Sequence, residues 1–112
     1  ATPTGSTAYS MSIGGPVMFP TAKALIIAPI APHNLNIRPL VVPDDTVIEL
    51  LVTARKTGAI LCLDNRTINI SSGDKFTISK ADFDLNYISL PASGFIGALK
   101  EKLLWGEDRR NS

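Results

Sequence analysis

The sequence predicts a mainly β domain, of sandwich or barrel type, with a short helix near its start and a second helix at its end. Three observations carry this expectation. Beyond Arg38 the chain runs through short β-branched and apolar segments, each followed by turn-forming residues, at the spacing of an all-β domain. Val47, Glu49, Leu51 and Thr53 alternate with Ile48, Leu50, Val52 and Ala54. The second set is wholly apolar and is expected to face the core. The last ordered stretch alone has helical period, with Ile96, Leu99 and Leu103 at i, i+3 and i+7.

Taken in order, the first element is a helix over Ser6 to Ile13, stopped by Gly14-Gly15-Pro16 because glycine accepts a left-handed cap and proline cannot continue the ladder. The continuous apolar run Ala24 to Ile30, flanked by prolines, predicts a strand buried on both faces, and Pro32 to Asn36 reads as a loop. Strands are then expected at Leu40 to Val42, Thr46 to Ala54, Ala59 to Leu63, Thr67 to Ile70, Phe76 to Ser79 and Leu85 to Leu90. The separators Pro43-Asp44-Asp45, Lys56-Thr57-Gly58, Asp64-Asn65-Arg66, Ser72-Gly73-Asp74 and Lys80-Ala81-Asp82 preset or tolerate turn geometry. A helix from Phe95 to Leu104 closes the domain, which is expected to span residues 1–106, and Glu107 to Ser112 forms a polar tail.

Composition narrows the function classes. With 112 residues, 45% hydrophobic and 19% charged, the chain has the balance of one compact domain. Eleven Lys+Arg against ten Asp+Glu leave a net charge of +1, so nothing draws the chain to nucleic acid or an anionic membrane. Cys62 is the single cysteine, which excludes an internal disulfide; its place in the apolar run Ala59 to Leu63 predicts a reduced, buried thiol and a cytoplasmic setting. The longest apolar stretch, Ala24 to Ala31, is broken by Pro29 and falls far short of the ~20 residues of a membrane helix. Residues 1–10 have neither the basic start nor the apolar core of a signal peptide and lack an initiator Met, so the natural start is expected elsewhere.

The densest polar chemistry lies in Thr2-Pro3-Thr4-Gly5-Ser6-Thr7-Ala8-Tyr9, four hydroxyls with a glycine and an aromatic ring just ahead of the expected helix. Helix N-termini carry unpaired N–H groups, and a glycine lets a ligand approach the backbone. Ordinary helix capping uses the same residue types. A P-loop is excluded, because Gly5 is followed by Ser6 instead of the required Lys. His33, the single histidine, is too little for a metal site, and no G-x-S-x-G elbow is present. Arg38 precedes Pro39 and reads first as an ion pair that fixes the loop, with a phosphate contact as the alternative. Trp105, beside the apolar stripe of the last helix, reads as a packing residue.

The order of these residues carries more than their composition. Thr2 to Tyr9 followed by Gly14-Gly15-Pro16 closely resembles the signature that opens the C-terminal domain of NAD kinases. Pro29-Ile30-Ala31-Pro32-His33 with Arg38-Pro39-Leu40 resembles the family's PI-x-PH and RPL segments, and Lys102-Leu103-Leu104-Trp105-Gly106 its terminal KL-x-WG. The resemblance implies a β-sandwich-like C-terminal domain that holds NAD, with an N-terminal α/β domain supplying a Gly-Gly-Asp-Gly loop and most contacts to a divalent metal (Mg) and to ATP or polyphosphate as phosphoryl donor. Neither that loop nor the family's Asn-Glu or Asn-Asp pair occurs in this sequence, so no catalytic base is assigned here.

By position in the motifs, the resemblance places Thr4, Thr7, Ala8, Tyr9 and Ser12 in the NAD pocket. It puts Ala31 and His33 near the nicotinamide end, across a subunit interface, and Asp64 and Asn65 beside the ribose to be phosphorylated. It further implies homo-oligomers, dimers or tetramers. The rival readings are a stand-alone, non-catalytic β-domain that binds nucleotides or a protein, and a related lipid or sugar kinase; the PI-x-PH and KL-x-WG segments oppose the latter.

Overall fold

The computed structural model describes residues 1–54, 58–86, 88 and 94–106. The chain divides into two compact units, Ala1–Pro43 with Phe83–Ser112, and Asp44–Asp82. The fold is mainly β, with antiparallel strand pairs and a closing helix. The tail 107–112 lies outside the described residues.

In the first unit the expected helix over Ser6 to Ile13 is two shorter pieces. Thr4–Thr7 forms one 3-10 turn, and α1 spans Tyr9–Ser12. Ala8 separates them at φ −97° and ψ −132°, outside the helical region. Tertiary demand explains the break: Ser6 is fully buried, and its Oγ accepts a hydrogen bond from the amide of Met18 at 3.0 Å. A continuous helix of such weak helix formers has little propensity to resist that anchor.

Strands β1 (Ala24–Ile27) and β2 (Leu40–Pro43) pair antiparallel, with Ala24 opposite Pro43 and Ile27 opposite Leu40. Along the other edge of β1, the amide of Ile26 donates to the carbonyl of Ala1 at 2.8 Å, and the Ala1 nitrogen donates to the carbonyl of Ile26. Ile26, 3% exposed, is the most buried apolar residue among the described residues of this unit, while Ile27 is 37% exposed, so burial is less complete than the apolar run predicts. The strand also ends at Ile27 and not at Ile30.

Helix α2 spans Phe95–Leu103, close to expectation, with Lys100 and Lys102 in its last turn where they complement the helix dipole. Its inward face centres on Phe95, Ala98 and the buried Leu99, while Ile96 stands 42% exposed. The Phe95 ring meets Phe19 at a centroid distance of 4.9 Å, tilted by 50°. Leu104 turns left-handed at φ +53°, which ends the helix and carries the next residue off its stripe. Trp105 is consequently 62% exposed and is not the packing residue its sequence position suggests. Of the expected strand Leu85 to Leu90, residues 85, 86 and 88 lie in no strand, and 87, 89 and 90 fall outside the described residues.

The second unit nests one strand pair inside another. The outer pair is β3 (Ile48–Leu51) with β6 (Lys75–Ile78), and the inner hairpin is β4 (Ala59–Leu63) with β5 (Arg66–Ile70). Two further backbone bonds, Val52 to Asp74 at 2.9 Å and Gly73 to Val52 at 2.8 Å, extend the outer ladder. The expected strand Thr46 to Ala54 is shorter, Ile48–Leu51, and its alternation holds in part: Ile48, Val52 and Ala54 are half-buried and Val47, Glu49, Leu51 and Thr53 exposed, but Leu50, expected to face the core, is 42% exposed. Leu50, Val52, Leu61, Ile70, Phe76 and Ile78 are among the residues that line an apolar space of about 430 Å³.

Cys62 is exposed on β4, as are Ile60 and Leu63, while Ala59 and Leu61 are half-buried. The expectation of a buried thiol is therefore wrong. An unbroken apolar run does not reveal which parity faces inward, and the pleat exposes every second residue.

Candidate functional site

The hydroxyls of the Thr2–Tyr9 segment divide by role. Thr2 Oγ1 accepts the amide of Gly5 at 3.1 Å, and Ser6 Oγ is taken by Met18, so both serve local structure. Thr4, Thr7 and Ser12 remain exposed, as do Ala8 and Tyr9, the latter to 64%. The break at Ala8 lets successive residues face different ways. Ala8 and Tyr9 line a cavity of about 310 Å³ together with Gly5, Ser10, Ile13, Ala28 and Ile30, beside Ala1. Thr7 instead lines a space of about 330 Å³ against Phe95, Leu99, Lys102 and Leu103 of α2.

The first of these cavities combines a phenol ring, backbone without bulky side chains at Gly5 and Ala8, and an apolar wall from Ile13 and Ile30. That is a surface on which a planar ring can stack while its polar edge meets backbone groups. Ser10, Ile13, Ala28 and Ile30 were not among the residues singled out in sequence. Ser10 had a signal in its place four residues ahead of the Gly14-Gly15 pair; the other three look like ordinary core residues.

The loop after β1 lies next to that wall. Ala31 follows Ile30 and adopts φ +45°, a left-handed conformation that costs a non-glycine residue about 1–2 kcal/mol. His33 is exposed. The loop is braced from within: Asn34 Oδ1 accepts the amide of Asn36 at 3.0 Å, and Arg38 Nη1 donates to the carbonyls of Leu35 at 2.6 Å and Ile37 at 3.0 Å. Arg38 thus fixes the loop as expected, but through backbone carbonyls in place of a carboxylate.

Asp64 and Asn65 form the two-residue tip of the β4–β5 hairpin in the second unit, both exposed, with Asp64 at φ +50°. The candidate residues therefore fall in two units, Thr4 to His33 in one and Asp64 with Asn65 in the other. Among the described residues, no three of His, Cys, Asp and Glu come together in a way that could hold a metal ion.

Residues 1–90 match the family described as the ATP-NAD kinase C-terminal domain. The chain belongs to this family. The matched span contains both the Thr2–Tyr9 segment and the Ala31–His33 loop. Among relatives, the NAD kinase of Flavobacterium psychrophilum is 52% identical over 111 residues, covering 99% of this chain and 38% of that protein. The NAD kinase of Flavobacterium johnsoniae is 49% identical over the same share of both chains, and that of Porphyromonas gingivalis strain W83 is 46% identical over 106 residues. Among solved structures, the crystal structure of yeast NADH kinase complexed with NADH superposes with a TM-score of 0.81 at 25% identity, covering 98% of this chain and 35% of that one. The chain thus spans well under half the length of the relatives it matches. These matches favour the kinase reading over a stand-alone binding module. No helix among the described residues is long and apolar enough to cross a membrane.

Proposed function

We propose that this chain is the NAD-binding part of an NAD kinase, whose intact form transfers a phosphoryl group from ATP, or polyphosphate, to the adenosine ribose 2′-hydroxyl of NAD and so makes NADP. The observation that supports this most directly is the coincidence of the family match with the cavity lined by Ala8 and Tyr9. On this reading Tyr9 stacks on or hydrogen-bonds a ring of the dinucleotide, the Ala8 backbone reads a polar ring edge, and the hydroxyls of Thr4, Thr7 and Ser12 take the remaining polar groups. Ala31 and His33 border the nicotinamide end, completed by a neighbouring subunit of a dimer or tetramer. Asp64 and Asn65 border the ribose that accepts phosphate.

The division of labour follows from what the chain carries. Its residues bind and orient, converting an encounter of two nucleotides into a positioned attack, a gain that rests on geometry alone. The catalytic base, most ATP contacts and a divalent metal belong to the rest of the protein; the metal supplies charge neutralisation at the transferring phosphates. Residues 1–106 act as one functional domain docked to that remainder in a cytoplasmic enzyme, with 107–112 as a tail.

Steady-state NADP formation by the intact protein tests the reading. Thr7→Val and Tyr9→Ala are each expected to raise KM for NAD about tenfold or more while leaving KM for ATP within about twofold. Unchanged KM for NAD in both variants would remove the Thr2–Tyr9 segment from the substrate site.

A further inference from the structure

The end of α1 is closed by a pair of backbone bonds. The amide of Gly14 donates to the carbonyl of Met11 at 3.1 Å, and the amide of Gly15 donates to the carbonyl of Ser10 at 2.8 Å. Gly14 supplies the left-handed residue between them, at φ +84°. This is the Schellman closure, with its 6→1 and 5→2 bonds. On a helix of a single turn, these bonds are a large part of what defines its direction.

The closure is also a tight contact. A methyl group on Gly15 would lie 2.2 Å from Ser10 Oγ and 2.7 Å from the Ser10 carbonyl oxygen, the second of which is backbone. Ser10 is only 7% exposed, and its hydroxyl has no hydrogen-bond partner among the described residues. Buried hydroxyls are ordinarily paired, so this side chain is not held by a bond of its own. Its size fits the notch that Gly15 leaves. Ser10 also lines the cavity that contains Ala8 and Tyr9, so any shift at Ser10 moves the residue preceding it as well.

We infer that Ser10 and Gly15 are positioning residues of the dinucleotide site: their contact sets the turn of α1 that presents Tyr9 to the cavity and Ser12 to solvent. The inference rests on the reading of that cavity as the NAD site. It assigns to the glycine pair a role in substrate affinity that acts through Tyr9, without touching the substrate.

The test is the kinetics of NADP formation by the intact protein, with NAD and ATP varied separately. Gly15→Ala is expected to raise KM for NAD about tenfold, with KM for ATP within about twofold, since a displacement of about 1 Å at a binding group is enough for such a loss. Adding Ser10→Ala removes the nearer obstacle and leaves the carbonyl, so the double variant is expected to recover part of the affinity for NAD. If Gly15→Ala fails to fold, Gly14→Ala probes the same closure by strain instead of contact, because its added methyl meets open space but sits at φ +84°; the same selective rise is expected. An equal rise in both KM values, or a double variant no better than Gly15→Ala, overturns the inference. Loss of NAD affinity in Tyr9→Ala together with a silent Gly15→Ala also overturns it while sparing the site. A silent Tyr9→Ala and Thr7→Val overturn the site reading itself.

Discussion

The amide of Met18 donates to the hydroxyl of Ser6 across twelve residues of sequence, and Ser6 has no exposed surface. This bond ties the 3-10 turn of Thr4–Thr7 to the segment leading into β1. Ser6→Ala leaves the Met18 amide without that acceptor, a part-buried donor whose loss costs about 1–3 kcal/mol. Urea denaturation of the intact protein is expected to show a lowered midpoint at unchanged slope. An unchanged midpoint would mean that the amide finds another acceptor.

Ala31 offers a gain in place of a loss. Its φ of +45° costs alanine about 1–2 kcal/mol, whereas glycine adopts it freely but gives up about 0.5–1 kcal/mol in chain entropy. Ala31→Gly is therefore expected to leave stability equal or raise it by up to about 1.5 kcal/mol. Ala31→Val should lower it, since a β-branched side chain resists this region most. Thermal unfolding of the two variants side by side reads the ordering.

Arg38 holds two carbonyls of the loop that carries His33. Arg38→Ala frees both and is expected to raise KM for NAD several-fold by loosening that loop, with a loss of stability of about 1 kcal/mol. Steady-state kinetics and a melting curve on the same preparation separate the two effects. A stability loss without any change in KM would confine Arg38 to structure.

Lys80 and Asp44 meet at 2.8 Å in the second unit, with side chains 53% and 20% exposed. Such a pair is worth little in water: Asp44→Asn is expected to cost no more than about 1 kcal/mol, and the difference from the parent should shrink as salt is raised. A larger loss that is insensitive to salt would point to the Asp44 carboxylate serving another partner.

Much of this architecture was legible before any coordinates. The strands of the β4–β5 hairpin are expected at Ala59 to Leu63 and Thr67 to Ile70, with Asp64-Asn65-Arg66 between them; in the structure Arg66 joins the second strand opposite Leu63, which leaves a two-residue turn. The Gly14-Gly15 pair announced the end of α1 because only glycine takes the left-handed cap without cost. The residues that misled are those whose environment is set by distant partners. Nothing local to Ser6 announces Met18, and without that bond the break at Ala8 is invisible. The parity of Cys62 and the exposure of Trp105 likewise depend on which face the fold covers, information that an apolar run does not contain. In the candidate site, the hydroxyls and Tyr9 could be named from motif order, but Ile13, Ala28 and Ile30 could not, since a cavity wall of aliphatic residues has no sequence signature.

The nesting of β4 and β5 between β3 and β6 has a consequence for how this protein can change. Residues 44–82 leave and rejoin the chain at neighbouring points, marked by the Asp44–Lys80 contact. A segment whose two ends adjoin behaves as a cassette: it can be exchanged whole for that of a relative without asking the flanking strands to separate. Such an exchange asks only that the two ends still meet as Asp44 and Lys80 do.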